Sequence, residues 1–322
     1  MLYDYRPIFY PAVRTITSNP AEIYEFGIIL RRFLIEEQVL FLFINPQTMV
    51  TNIVPVEEIF FRNPMPSTDK KNSLREDNSH LAHELQNSHY ISWEHSRKSN
   101  YIEALYRFTE IPATLASNGL SHATKNVDGF FLTVDMCPSV NPTEKDFFQM
   151  LVDLTTKRKT PFPVAISMTG AWIEKHNKDF NWLIEQKNNQ KLDITWVNHS
   201  YSHFYLLDLV NQENFILNPF TDLTLELFET EKTLIKNGQT PSAFFRFPGL
   251  ISDSKTLELS RKYGFIPLGA DAWLAKQQKP TNGSIILVHG NENEHQGIID
   301  IMPILKEHDP EGWLPINAAI CS

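Results

Sequence analysis

Two cysteines, Cys137 and Cys321, are all that the 322-residue chain carries. Lying so far apart in sequence, they exclude a disulfide framework, and the fold must rest on hydrophobic burial. Basic charge is also short. With 29 Lys and Arg against 38 Asp and Glu, the net charge of −9 argues against a nucleic-acid partner, because phosphate binding needs a basic face. No apolar run approaches the roughly 20 residues that a membrane span requires. The run Val39-Leu40-Phe41-Leu42-Phe43-Ile44 is far shorter and reads as a buried strand. The first residues lack a basic start followed by an apolar core, so no secretory signal is read there. The expected compartment is the cytoplasm, or the periplasm or extracellular space if a signal peptide has been trimmed.

Core material is plentiful. The chain is 42% hydrophobic with 22 phenylalanines, enough to fold without covalent staples. Its length suggests one large α/β domain with an appendage, or two domains. In the N-terminal part, Ser18-Asn19-Pro20 reads as a helix start. Ile23, Phe26, Leu30 and Phe33 then recur at helical spacing, which predicts a helix ahead of the strand at Val39–Ile44. The patch from Ile53 to Phe61 carries Pro55 and is ambiguous. From 62 to 100 the composition turns to Ser, Asn, Lys and Glu and reads as a polar linker or loop. His80, His83, His89 and His95 fall in it without a carboxylate or cysteine framework, so a solvated surface is the simpler reading. A helix around Tyr101–Phe108 leads back into structure.

After Asp128 the rhythm changes. Apolar runs at Phe130–Met136, Phe162–Met168, Ile194–Val197, Ala243–Phe247, Phe265–Gly269 and Ser284–Val288 alternate with helical patterns. Those patterns lie at Glu144–Thr155, Trp172–Gln186, Leu223–Lys236 and Ser254–Tyr263. Strands alternating with helices at this spacing predict βαβ units and a mostly parallel sheet or barrel, with about six units rather than eight. The division expected is an α+β extension of unknown role at 1–125 and an α/β domain at 126–322.

In parallel α/β folds, ligands bind at the carboxyl ends of the strands. Five of the runs end in Asp135, His199 with His203, Arg246, Asp271 or His289. Each has an ordinary alternative. Asp135 could cap a helix, Arg246 could form a surface ion pair, and either strand-end histidine could be a satisfied core residue. Cys137 reads more readily as a small packed residue than as a nucleophile, since no activating histidine stands beside it in sequence. Roughly 0.4 His-x-x-x-His pairs are expected by chance at this histidine content, so the pair alone decides little. Placed on one helical turn, His199 and His203 would share a face, the geometry of zinc-type sites. It is the joint pattern that argues for a site.

The order of these residues resembles the five motifs of the NodB-homology polysaccharide deacetylases, carbohydrate esterase family four. Thr133-Val134-Asp135-Met136-Cys137 resembles T-F-D-D-G, and His199-Ser200-Tyr201-Ser202-His203 resembles H-[ST]-x-x-H. Arg246-Phe247-Pro248-Gly249 resembles R-x-P-Y-G with glycine in place of tyrosine. Asp271-Ala272-Trp273 and Leu287-Val288-His289 resemble the fourth and fifth motifs. The resemblance runs from about Asp128 to Cys321. It implies a distorted (β/α) barrel with fewer than eight strands, and a metal-dependent hydrolase that removes N-acetyl or related acyl groups from an amino-sugar polymer or oligomer.

By the same resemblance, His199 and His203 would hold a divalent metal, zinc foremost, and Asp135 would take a proton from metal-bound water. Arg246 would pair with Asp135. His289 would protonate the leaving amine, with Asp271 holding its tautomer. Trp273 and Leu287 would line the acyl slot, and the Gly249 amide would help bind the oxyanion. The partner implied is a carbohydrate, with neither nucleic acid nor a membrane span. One position departs from the pattern: Met136 stands where the family has a metal-binding aspartate, and a thioether is a poor ligand for such a cation. Three outcomes follow from that departure. Asp135 could turn to the metal, Glu292 or Glu294 could fill the gap, or the domain could be a carbohydrate-binding pseudoenzyme. A hydrolase of a small non-peptide amide is a further alternative.

Overall fold

The computed structural model describes residues 1–18, 21–60 and 98–321; the side chains of 17, 18, 21–23 and 60 are left out of the description. The polar stretch read as a linker, with its four histidines, lies almost wholly outside these residues. Two compact units divide the chain, Met1–Glu103 and Ala104–Ser322.

The first unit is an antiparallel five-stranded sheet in the order β4-β3-β2-β1-β5. Its strands are β1 (Leu2–Ser18), β2 (Ala21–Ile35), β3 (Gln38–Ile44), β4 (Thr51–Pro55) and β5 (Ile59–Phe60). The helix predicted beyond Pro20 is therefore a correction: that stretch is strand β2. Apolar spacing there was compatible with a helix, but β2 is a central strand, paired to β1 on one side and β3 on the other. Ile28, Ile29 and Leu30 are consecutively buried, the mark of a strand covered on both faces. Gly27 is required by the same packing, because a Cβ there would lie 2.0 Å from the Phe43 ring. β2 turns into β3 through Glu36 and Glu37, both at positive φ, the two-residue hairpin geometry that matches strand twist. Helix α1 (Asn100–Phe108) spans the sequence boundary between the units.

The second unit is a distorted (β/α) barrel built on a seven-stranded sheet in the order β10-β9-β8-β7-β6-β12-β11. The strands are β6 (Phe131–Met136), β7 (Phe162–Met168), β8 (Leu192–Asn198), β9 (Pro241–Phe245), β10 (Ile266–Pro267), β11 (Ala272–Trp273) and β12 (Ile285–His289). All neighbouring pairs run parallel. The segment Leu120–Ala123 links the β10 end of the sheet to the residues before β12: Leu120 bridges to Leu268 after β10, and His122 to Ser284 before β12.

The helices α2 (Lys145–Arg158), α3 (Gly170–Lys175), α4 (Asn177–Asn188), α5 (Leu223–Lys236), α6 (Ser254–Tyr263) and α7 (Gln296–Glu307) fill the connections. Their ends carry the expected chemistry. Asp222 caps α5 by accepting from Thr224 and Leu225, and Asp253 with Thr256 forms a reciprocal capping box on α6. On α2, Phe147, Phe148, Leu151 and Leu154 form one apolar face. That face packs with Val134, Met136, Val164, Ile166 and Val288 in the core. Among the described residues, no helix is long and apolar enough to cross a membrane.

Candidate active site

Parallel register sets the site. His289 on β12 is level with Asp135 on β6, and Asp135 is level with Ser167 on β7. The His199 amide donates to the Met168 carbonyl at the end of β7, and the Arg246 amide to the Asn198 carbonyl at the end of β8. Asp135, His199, Arg246 and His289 are thus brought together at the carboxyl edge of one sheet, where side chains from different strands converge.

Asp135 and Arg246 are both buried and joined by a 3.0 Å contact from Nη1 to Oδ1. Arg246 is held on every side. It donates to Thr133 Oγ1 at 2.8 Å, to the Gly269 carbonyl at 2.8 Å and to the Leu268 carbonyl at 3.3 Å. Burial lowers the Arg246 pKa from its ordinary value despite the opposing pull of Asp135. The other carboxylate oxygen, Oδ2, lies 3.7 Å from His199 Nε2.

The histidine pair does not sit on a helical turn. It is carried by a loop in which Ser200 and His203 both take positive φ, and this corrects the helical geometry expected from its spacing. The rings still meet, with centroids 4.8 Å apart. Buried Glu226 from α5 fixes the loop by accepting from the amides of Tyr201 at 3.0 Å and Ser202 at 2.9 Å and from the Ser202 hydroxyl at 2.6 Å. Glu226→Ala strands these donors and is expected to lower stability by about 1–3 kcal/mol. A urea-denaturation midpoint unchanged from wild type would remove Glu226 from this role.

Cys137 is the largest revision. Its Sγ lies 3.5 Å from the Nε2 of His199 and 3.5 Å from the Nε2 of His203. It is buried, but as part of a polar cluster rather than as packing. Burial pushes the thiol up, yet His203, His289 and His199 outweigh burial and hold its pKa well below the ordinary value. The thiol in turn raises His203 against the effect of burial. The signal was present in the sequence: side chains two apart on a strand share a face, so Cys137 follows Asp135 into the site while Met136 points away.

The donor set suits a divalent metal. The three ligand atoms of Cys137, His199 and His203 lie within 4.8 Å of one another. His199 Nδ1 donates to the Arg246 carbonyl at 2.8 Å, which leaves its Nε2 lone pair free to bind. Sulfur and imidazole together favour zinc over hard cations.

His289 and Asp271 are not partners. Asp271 precedes β11, and the register of β11 with β12 places it level with Ile285, at the amino end of the sheet. His289 lies four positions beyond Ile285, about 13 Å along the strand. There Asp271 accepts from the Ile285 amide at 3.0 Å and the Ser284 hydroxyl at 3.2 Å, and meets His122 Nδ1 at 2.7 Å. Glu294, from the turn after β12, faces His289 instead. Its Oε2 lies 3.2 Å from His289 Nδ1, a charge contact rather than an aligned hydrogen bond, because that nitrogen has no hydrogen-bond partner. Glu294 Oε2 also accepts from Trp273 Nε1 at 2.6 Å, and Oε1 lies 3.1 Å from Lys276 Nζ.

These charges shift both groups. Burial would lower His289, but Cys137, then Glu294 and Asp135, raise it from 6.5 to about 10. Burial would raise Glu294, but His289, Trp273 and Lys276 lower it from 4.5 to about 2. In metal-free protein the raised base contributes stability fully below pH 6.5, lost as pH climbs through about 10. The depressed acid contributes above pH 4.5, lost as pH falls through about 2. Glu294→Gln is therefore expected to flatten both limbs of the stability profile. Urea midpoints measured across pH in chelator-treated protein check this, and identical slopes in the two proteins would contradict it.

Leu287 is buried two residues before His289 on β12, and the Trp273 ring lies 6.2 Å from that of His289. Gly249 has φ +61, and a Cβ there would come within 2.7 Å of the Phe215 ring. Phe215 thus fills the space next to the position where the family has tyrosine, and it also meets the His203 ring edge-on at 6.0 Å.

No family model matches the chain. Solved structures do. A family 4 carbohydrate esterase from Bacillus anthracis is 19% identical, with 61% of this chain and 82% of that chain covered and a TM-score of 0.42. The chitin deacetylase of the fungal pathogen Colletotrichum lindemuthianum is 17% identical, with 64% and 93% covered and a TM-score of 0.42. A CE4-family pseudoenzyme from Bacillus anthracis is 14% identical, with 58% and 63% covered and a TM-score of 0.40. The chain is thus similar to a family 4 carbohydrate esterase, to a chitin deacetylase and to a CE4-family pseudoenzyme.

Proposed function

We propose that the protein is a metal-dependent hydrolase that removes N-acetyl or related acyl groups from an amino-sugar polymer or oligomer. One observation carries this reading: Asp135, paired with Arg246, and His289 stand level on the adjacent strands β6 and β12, beside the Cys137, His199 and His203 donor set. Cys137, His199 and His203 would hold a divalent ion, which would supply Lewis acidity to the acyl carbonyl and ease the deprotonation of water.

The chain's own groups do the rest. Asp135 accepts the proton of the attacking water, and Arg246 holds that carboxylate in place. His289, one strand over, gives a proton to the amine as the C–N bond breaks. Glu294 favours the charged imidazole and takes the place that the resemblance assigns to Asp271. Trp273 and Leu287 flank the acyl group, and the Gly249 amide offers a donor to the developing oxyanion.

Purified protein is expected to hold about one divalent ion per chain, measured by elemental analysis, and to lose it on His199→Ala or His203→Ala. It is expected to release acetate from an N-acetylated glucosamine oligomer when loaded with zinc. Zinc-loaded wild type that releases none from oligomers of any length tried would overturn the deacetylase reading.

A further inference from the structure

We propose that Cys137, as a thiolate, is the third protein ligand of the metal, so that the site is Cys-His-His rather than carboxylate-His-His. The inference rests on the reading above only in expecting an ion at His199 and His203.

Among the described residues, the other donors that the sequence offers stand outside the ligand group. Met136 belongs to the hydrophobic core and is buried completely, its sulfur 3.0 Å from where a Cβ on Gly290 would sit. Asp135 is bound to Arg246 through Oδ1, and its Oδ2, 3.7 Å from His199 Nε2, is not part of the ligand group. Glu294 is engaged by His289, Trp273 and Lys276. Among the described residues, the one group of His, Cys, Asp or Glu side chains with metal-ligand spacing is Cys137, His199 and His203.

The distances fit. Zinc bonds of about 2.3 Å to sulfur and 2.0–2.1 Å to nitrogen place the two donors about 3.6 Å apart in a tetrahedron. Cys137 Sγ is 3.5 Å from each Nε2. The backbone that carries the thiol is clamped on both sides. Thr169 Oγ1 donates to the Met136 carbonyl at 2.9 Å, and buried Asn291 Nδ2 donates to the Cys137 carbonyl at 2.6 Å. This preorganises the sulfur against the two imidazoles. A thiolate brings the same single negative charge as the carboxylate it replaces, so the site remains a net cation with a divalent ion. What changes is softness, which turns selectivity toward zinc and away from magnesium or manganese.

Cobalt(II) substitution tests the assignment without measuring turnover. The wild-type cobalt protein is expected to show a near-ultraviolet sulfur-to-cobalt charge-transfer band alongside its visible ligand-field bands. Cys321→Ser keeps the charge-transfer band, and Cys137→Asp loses it while still binding cobalt, with its visible bands as the sign that the variant holds the ion. Wild type that binds cobalt without the charge-transfer band overturns the thiolate ligand and leaves the hydrolase reading standing. A band that survives Cys137→Asp overturns it as well. Failure of the wild type to bind cobalt or zinc overturns both. The band with no acetate release supports the ligand and overturns the deacetylase.

Discussion

Asp135→Asn is expected to lower acetate release from an N-acetylated glucosamine oligomer by about 10²–10⁴-fold, the usual worth of a positioned general base. The substitution keeps the shape of the side chain, and Arg246 can still donate to the remaining carbonyl oxygen, so the position of the group survives while its basicity goes. The loss should fall on kcat more than on KM, because proton abstraction belongs to the transition state and not to ground-state binding. Metal content should be unchanged, since Asp135 lies outside the donor cluster. That last readout separates this role from the turned-ligand alternative that Met136 raised: if Asp135 were itself a ligand, the variant would lose metal along with activity. Unchanged turnover with intact metal would leave Asp135 a structural partner of Arg246 and nothing more.

The barrel was legible from the chain because its signals are local. Each buried parallel strand reads as a short apolar run, and helices such as α5 and α6 announce their ends with Asp222 and Asp253. β2 was not legible for the opposite reason. Its residues permit a helix, and only pairing with its neighbours β1 and β3 makes it a strand. The site divides the same way. Asp135, Arg246 and His289 end their runs, so strand ends alone locate them. Asp271 also follows a run, but β10 stops at Pro267 and the chain returns before Asp271, which leaves it at the opposite edge of the sheet. No periodicity in the sequence marks that return. Cys137 was within reach, because its two-residue offset from Asp135 is a strand period, whereas Glu226 reaches the site from α5, which no motif ties to it, and Glu294, in view as a possible metal ligand, faces His289 instead.

Arg246→Met is expected to destabilise the protein by about 3–5 kcal/mol, the cost of breaking a buried ion pair by removing one partner. The guanidinium is wholly buried and makes four contacts. Its loss would leave buried Asp135 without its arginine partner, and would strip donors from Thr133 and from the Leu268 and Gly269 carbonyls. Much of the penalty would belong to the stranded carboxylate rather than to the pair's net worth. Asp135→Asn combined with Arg246→Met should therefore cost less than the two single changes added together, as coupled neighbours do. Arg246→Lys should not restore wild-type stability, because one ammonium on a flexible stem cannot serve donors spread across a planar fork. Urea-denaturation midpoints of the four proteins measure the coupling. Strict additivity would mean that Arg246 holds β9 to its neighbours through the carbonyls alone, with the carboxylate incidental. A coupling instead ties the Asp135 carboxylate to the arginine beside it, so that the same guanidinium contributes to the fold and holds the group proposed as the base.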